Sequence, residues 1–232
     1  MNDKSNSYRY ERKLIVDSFN FNSLKDLNNL YDLGLGEIYK ERRVNSIYYD
    51  TNQFFYAKEH LDGANRRLKC RVRFYGNIRE TNNPFLEFKL KSGSVGSKYK
   101  IHLDKNEILD SKNFLKYIFK GDFIIQTLNQ DMLSMLYPKL FVTYLRTYYL
   151  SKCMNFRFTF DREIKFYLIE NSFFEFSKIF DFNFLKFENN IIEIKYESIF
   201  DQDASAFTKK LPFRLTNCSK YIMGLRKFGI IE

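Results

Sequence analysis

Arg, Lys, Glu and Asp are the residue types in this chain whose number and spacing support chemistry. His60 and His102 are the only histidines and fall in unrelated segments. Cys70, Cys153 and Cys218 are far apart with no Cys-x-x-Cys pair. A histidine-based triad, a structural zinc site and a disulfide framework therefore all lack their parts. Three glutamates share a pattern instead: Glu11, Glu87 and Glu193 each stand two residues before a lysine, at Lys13, Lys89 and Lys195. Arg71 and Arg73 keep the same spacing, as do Lys98 and Lys100. Residues two apart lie on one face of a strand. Carboxylates among cations are ordinary ion-pair partners. They are equally the hard oxygen ligands that let Mg²⁺ or Mn²⁺ be shared between protein and phosphate oxygens, with Lys and Arg holding the remaining phosphate charge.

The elements that carry these residues read as strands. In Arg9 to Lys13, Arg71 to Tyr75, Phe85 to Lys91, Lys98 to His102, Arg157 to Asp161 and Ile192 to Tyr196, charged positions alternate with apolar ones, the period of a two-faced β-strand. An open antiparallel sheet with its charged face in water accounts for any one of them. The set is different, because the polar positions are mostly Arg, Lys and Glu rather than a mixture with Thr, Ser and Gln. A sheet closed into a barrel would turn these positions inward and pack its apolar outer face under helices. A lumen crowded with cations repels itself unless it holds water, counter-anions or an anionic ligand, so the implied ligand is a compact polyanion.

Whole-chain properties agree. There are 232 residues, 38 Lys and Arg against 28 Asp and Glu, and a net charge of +10. That excess suits a polyanion partner, and it is also what an AT-rich genome writes into a protein. The content is 44% hydrophobic and 19% aromatic with 3 Pro and 9 Gly, so disorder is not the default, and the chain fits a single domain over 1–232. No run approaches the ~20 apolar residues of a membrane span; Phe114 to Ile125 is broken by Lys116, Lys120 and Asp122. The polar start, Met1 to Asn6, lacks a signal-peptide core, so the expected location is cytoplasmic.

Eight segments, in order, resemble VTC domains: Tyr8 to Lys13, Ser46 to Thr51, Cys70 to Gly76, Leu86 to Lys89, Tyr144 to Thr147, Arg157 to Asp161, Ile192 to Lys195 and Ser219 to Tyr221. VTC domains form the polyphosphate polymerase branch of the triphosphate tunnel metalloenzymes, which include the CYTH proteins. The resemblance runs from about Tyr8 to Leu225. It implies an α+β fold, a closed antiparallel barrel of about eight strands with surrounding helices and a triphosphate along its axis. By position it makes Arg71, Arg73, Lys89 and Arg146 the catalytic cations. Lys13, Lys98, Lys100, Lys195 and Lys220 become phosphate contacts, with Lys100 favoured over Lys98. Glu193 is the implied metal ligand, with Glu11 and Glu87 as further candidates. The implied reaction moves the terminal phosphate of a nucleoside triphosphate, ATP above all, onto inorganic polyphosphate with Mn²⁺ or Mg²⁺, without a specific nucleic-acid partner. A triphosphatase or short-chain polyphosphatase of the same fold, and a non-catalytic polyphosphate- or RNA-binding module, are the alternatives. One departure bears on the choice: CYTH proteins open with Glu-x-Glu-x-Lys, whereas this chain has Arg9-x-Glu11-x-Lys13. Eukaryotic VTC proteins add an SPX domain and membrane helices, so the resemblance is to the free-standing prokaryotic form.

Between strands the sequence predicts helices. Ser23 can cap Leu24 to Leu33, with Gly34 and Gly36 ending it, and a turn or short helix follows Asp50 through Lys58. Ser111 can cap Lys112 to Phe119, and Gln130 to Tyr137 is stopped by Pro138. Asp203 to Lys210 precedes Pro212, and Asn217 can cap a last helix through Lys227. Gly93 to Ser97 lacks the Gly-Lys-Ser/Thr ending of a P-loop and reads as a hairpin.

Overall fold

The structure, a computed structural model, describes residues 9–18, 24–31, 34–77, 82–93, 95–103, 134–170, 183–209 and 211–232. Nine strands are formed among them: β1 (Arg9–Val16), β2 (Leu35–Asp50), β3 (Arg66–Tyr75), β4 (Asn82–Ser92), β5 (Val95–His102), β6 (Tyr137–Ser151), β7 (Arg157–Leu168), β8 (Phe184–Lys186) and β9 (Asn190–Glu197). The helices are α1 (Leu24–Tyr31), α2 (Phe55–Leu61), α3 (Asp201–Lys209) and α4 (Lys220–Lys227), with a 3-10 turn at Ser198–Phe200. The strand order is β1-β9-β7-β6-β2-β3-β4-β5, with β8 on β7. The pairings β1–β9, β2–β3, β3–β4, β4–β5, β7–β8 and β7–β9 are antiparallel, as expected. Hydrogen-bonded closure of the barrel is not found among the described residues, since the ladder ends at β1 and β5. Part of the reason is local to β1, whose outer edge is already occupied: Leu14 bridges Leu215, and the Thr216 N–H donates to the Lys13 carbonyl at 2.9 Å.

The chain forms two compact units, residues 1–42, 144–164 and 187–218 in the first and 43–143, 165–186 and 219–232 in the second. In the first, one face of β1, β9 and β7 supplies Leu14, Ile192, Ile194, Phe158 and Phe160 to a core that also takes Leu24 and Leu27 of α1 and Ala204 of α3. In the second, Leu68, Cys70, Val72 and Phe74 of β3 and Leu86 and Phe88 of β4 pack with Phe141 and Tyr167. Each fully buried side chain of this size contributes about 1.5–3 kcal/mol. That burial fixes the strand register, because a slip of one residue would put the charged face into the core.

The six alternating segments are all strands, and the Gly93 hairpin joins β4 to β5 with Gly93 at φ 58°. Four helix expectations need correction. Tyr137 opens β6 and Pro138 is its second residue, so Pro138 does not stop a helix there. The last helix begins at Lys220 after Ser219 in extended conformation, two residues later than an Asn217 cap would place it. Its predecessor starts at Asp201 instead of Asp203. The short helix after Asp50 begins at Phe55 and runs past Lys58 to Leu61. Lys112 to Phe119, the Ser23 cap and residues 32–33 lie outside the described residues.

Candidate phosphate and metal sites

Each unit carries a charged strand face. In the second unit, cross-strand register aligns Arg67 with Lys91, Lys69 with Lys89 and Lys98, and Arg71 with Glu87 and Lys100. Arg73 aligns with Ser46 on β2. Cross-strand partners share a face, so β3, β4 and β5 present eight cations, four of them Arg67, Lys69, Arg71 and Arg73 of β3, against Glu87. Glu87 is buried and ion-pairs with Arg71 and, at 2.7 Å, with Lys98. Burial alone would raise its carboxyl, but Arg71, Lys98 and Arg73 outweigh that and hold it at about 2. Arg71 also donates to the Tyr48 hydroxyl at 3.3 Å, Arg73 to Ser46 Oγ at 3.2 Å, and Lys69 to Ser219 Oγ at 3.0 Å. Burial would push the Tyr48 phenol up, yet Arg71, Arg73 and Lys220 bring it below its ordinary value. A phenol lowered despite full burial reports a strongly positive local field.

Of the two lysines on β5, Lys98 takes the Glu87 ion pair, while Lys100 Nζ sits 4.4 Å over the Phe85 ring. Lys89, Lys98 and Lys100 are all exposed, so solvent or ligand can reach them. Lys220 opens α4, whose placement is set by two neighbours. The Tyr221 hydroxyl donates to Asp50 at 2.8 Å, and the Tyr221 ring stacks on Tyr48 at 5.0 Å between centroids. Asp50 also receives the N–H groups of Thr51, Tyr56 and Ala57. It is therefore an acceptor built into the fold, and its buried carboxylate orders both α2 and α4.

The first unit differs in balance. Glu11 aligns with Lys195 and Arg157, and Lys13 with Glu193 and Thr159. Lys13 meets Glu11 at 2.6 Å, Lys195 bridges Glu193 and, at 3.7 Å, Glu11, and Arg146 reaches Glu193 at 3.9 Å. Arg146 is itself locked by a bidentate pair with fully buried Asp161, at 2.5 and 2.7 Å. Burial would raise the Glu193 carboxyl, but Arg146, Lys195 and Lys13 together hold it far below the usual range. The same opposition leaves Lys13 above its ordinary value, burial lowering it and Glu11 and Glu193 raising it. Cations and carboxylates are nearly equal in number here. The Thr159 hydroxyl beside Glu193 in the ladder is buried without a hydrogen-bond partner among the described residues.

That donor set limits what metal it can hold. No group of three or more His, Cys, Asp or Glu stands together among the described residues, so among them a cation coordinated by protein alone has no site. Asp161 is spent on Arg146, which leaves Glu193 and Glu11. One or two carboxylates suffice for Mg²⁺ or Mn²⁺ when phosphate oxygens and water complete the shell. The Thr159 hydroxyl, without a partner among the described residues, suits such a phosphate oxygen.

Sequence reasoning missed Lys69, Asp161, Tyr48, Asp50 and Tyr221 as parts of these faces. Lys69 was visible as the next step in the alternation Lys69-x-Arg71-x-Arg73, and Asp161 as the next after Thr159. Tyr48 and Asp50 lie on β2, whose last seven residues are buried on both faces and show no alternation.

A family model for the VTC domain matches residues 8–228. A search of curated proteins returns no significant match. Among solved structures, an adenylyl cyclase candidate from Hippeastrum with a dominant triphosphatase activity superposes with a TM-score of 0.58 at 13% identity, over 97% of this chain and 98% of that one. A protein from Pyrococcus horikoshii OT3 gives 0.51 at 14% identity over 95% and 98%. An adenylate cyclase candidate from Bacillus halodurans gives 0.51 at 15% over 96% and 90%. At such identities the likeness is one of fold, that of the triphosphate tunnel proteins. With the family model spanning nearly the whole chain, this protein belongs to the VTC domain family.

Proposed function

We propose that the protein is a metal-dependent phosphotransferase that moves the terminal phosphate of a nucleoside triphosphate, ATP first among them, onto inorganic polyphosphate. The observation that carries this reading is the contrast between the two faces. A face with eight cations and one carboxylate is suited to binding a phosphate chain. A balanced face, with an ionised Glu193 between Arg146, Lys195 and Lys13, is suited to chemistry on a phosphate that brings a metal with it. Family membership supports polyphosphate as the polyanion.

Phosphoryl transfer asks little covalent work of a protein; positioning and charge neutralisation dominate. Glu193, with Glu11, would hold Mn²⁺ or Mg²⁺, which supplies charge neutralisation at the phosphate oxygens. Arg146, fixed by Asp161, presents a pre-oriented guanidinium that needs no reorganisation as charge moves. Lys13 and Lys195, ion-paired with Glu11 and Glu193, can donate to phosphate oxygens. In the second unit Lys69, Arg71, Arg73, Lys89, Lys98, Lys100 and Lys220 would bind successive phosphates. A cytoplasmic setting, with ATP and divalent metal abundant, suits the reaction. No helix among the described residues is long and apolar enough to cross a membrane.

The second reading, hydrolysis of triphosphate, draws on the dominant triphosphatase activity of the Hippeastrum protein of like fold. Arg9 in place of the first glutamate of Glu-x-Glu-x-Lys favours transfer, because that carboxylate is part of the triphosphatase pattern. Incubation with ATP and Mn²⁺, following ADP, free phosphate and acid-labile polymer, tests the choice. Polymer formed in step with ADP is the expected result. Free phosphate without polymer gives the triphosphatase, and no turnover with either metal gives the binding module.

A further inference from the structure

We infer that the cavity at the ends of β7 and β9 binds the nucleoside part of a nucleoside 5′-phosphate. The inference rests on the proposed function and deepens it, by assigning a place for base and sugar where the charged faces account only for phosphates. The cavity holds about 270 Å³, near the roughly 300 Å³ lower end of small-molecule sites. Its two walls differ in kind. Met154 of the β6–β7 turn, Ile199 and Phe200 of the 3-10 turn, and Tyr196 make an apolar and aromatic wall. Arg157 and Lys195, aligned across β7 and β9, make a cationic one.

The aromatic wall is held in place before any ligand arrives. The Tyr196 hydroxyl accepts from Arg12 Nε at 2.6 Å and donates to Asp201 at 2.6 Å, and Phe200 packs edge-on against Phe156 at 6.0 Å. Met154 and Ile199, by contrast, are 73% and 77% exposed, two large apolar side chains at one cavity that a flat ring would cover. Lys195 belongs to both places, since it lines the cavity and pairs with Glu193 and Glu11. A ligand that is apolar and aromatic at one end and anionic at the other would cross from one chemistry to the other at Lys195. Inorganic polyphosphate has no apolar end and gains nothing from this cavity, whereas a nucleoside phosphate has both. The Asn155 amide and the Glu197 carboxylate, also at the cavity, supply a donor and an acceptor for ring nitrogens and sugar hydroxyls.

The test replaces both exposed apolar residues, Met154→Ser with Ile199→Ser, and titrates wild type and variant with ATP and with tripolyphosphate by calorimetry. Neither residue belongs to the charged faces, and tripolyphosphate affinity serves as the check that those faces are intact. The expected result is a loss of roughly tenfold in ATP affinity, the order expected when two apolar side chains no longer cover a base, with tripolyphosphate unchanged within about twofold. ATP affinity held at the wild-type value overturns the cavity assignment while leaving the proposed function standing. An equal loss for both ligands overturns it too, because the cavity would then act on phosphates. A wild-type protein that binds neither ligand removes the proposed function, and the inference with it.

Discussion

At the scale of single residues, the two buried glutamates have opposite duties. Glu193 stands among three cations with a buried Thr159 hydroxyl beside it that has no hydrogen-bond partner among the described residues, while Glu87 neutralises Arg71 and Lys98 on a face that is otherwise cationic. Glu193→Gln keeps the size and removes the charge. Tripolyphosphate binding should hold or improve, because an anion has been removed from the site, while turnover falls by a factor of about a hundred or more as metal positioning is lost. Arg71→Ala should weaken binding and turnover together, since a clamp contacts ground state and transition state alike. Steady-state kinetics beside a binding titration separate the two patterns. Glu87 gives a pH prediction. Its carboxyl is held at about 2 in the folded protein against 4.5 when unperturbed, so the unfolded chain takes up the proton first. The stabilisation is complete above about pH 4.5 and is lost as pH falls toward 2. Urea midpoints at pH 6 and pH 3 should show a loss about 1–3 kcal/mol larger in wild type than in Glu87→Gln. Equal losses would mean the pair contributes nothing net.

At the scale of elements, the seating of α4 decides where Lys220 stands. Gly224 allows it: a Cβ there would lie 2.5 Å from Leu140 Cδ2 and 2.8 Å from Phe166 Cδ1, both in the core and neither with room to yield. Gly224→Ala should cost about 1–3 kcal/mol by overpacking, read as a lowered thermal midpoint. A midpoint at or above wild type, as a better helix former would give, would contradict this close packing. The strands that alternate charge with apolar residues were legible from sequence because one face is buried and the other charged. β6 was not, since Pro138 to Tyr144 is buried on both faces and a doubly buried strand has no alternation to read. β2 hid for a second reason: Gly36 to Arg42 is exposed and charged, so its first half resembles a loop. The clusters were half legible. The spacing of Glu11 and Lys13 and of Glu193 and Lys195 foretold ion pairs on one face, but Asp161 locking Arg146 depends on the register of β6 beside β7, and the doubly buried start of β6 hid that hairpin.

At the scale of the whole molecule, an excess of ten positive charges over 232 residues is gathered in part on the face of β3, β4 and β5. Crowded cations raise the free energy of the ligand-free protein, so a bound polyanion should stabilise the fold by mass action. Tripolyphosphate at a hundred times its Kd should add about 2.7 kcal/mol, raising the thermal midpoint by several degrees above a chloride control of equal ionic strength. Equal midpoints would indicate general screening in place of a site. The most direct measurement of phosphoryl transfer follows the fate of the γ-phosphate. Wild type and Glu193→Gln are given ATP labelled at that phosphate, Mn²⁺ and a short polyphosphate primer, and label is counted in polymer and in free phosphate. Transfer predicts label in lengthened polymer, one ADP for each phosphate added, and nearly none with Glu193→Gln. Label found only as free phosphate, or polymer made equally by Glu193→Gln, would contradict it.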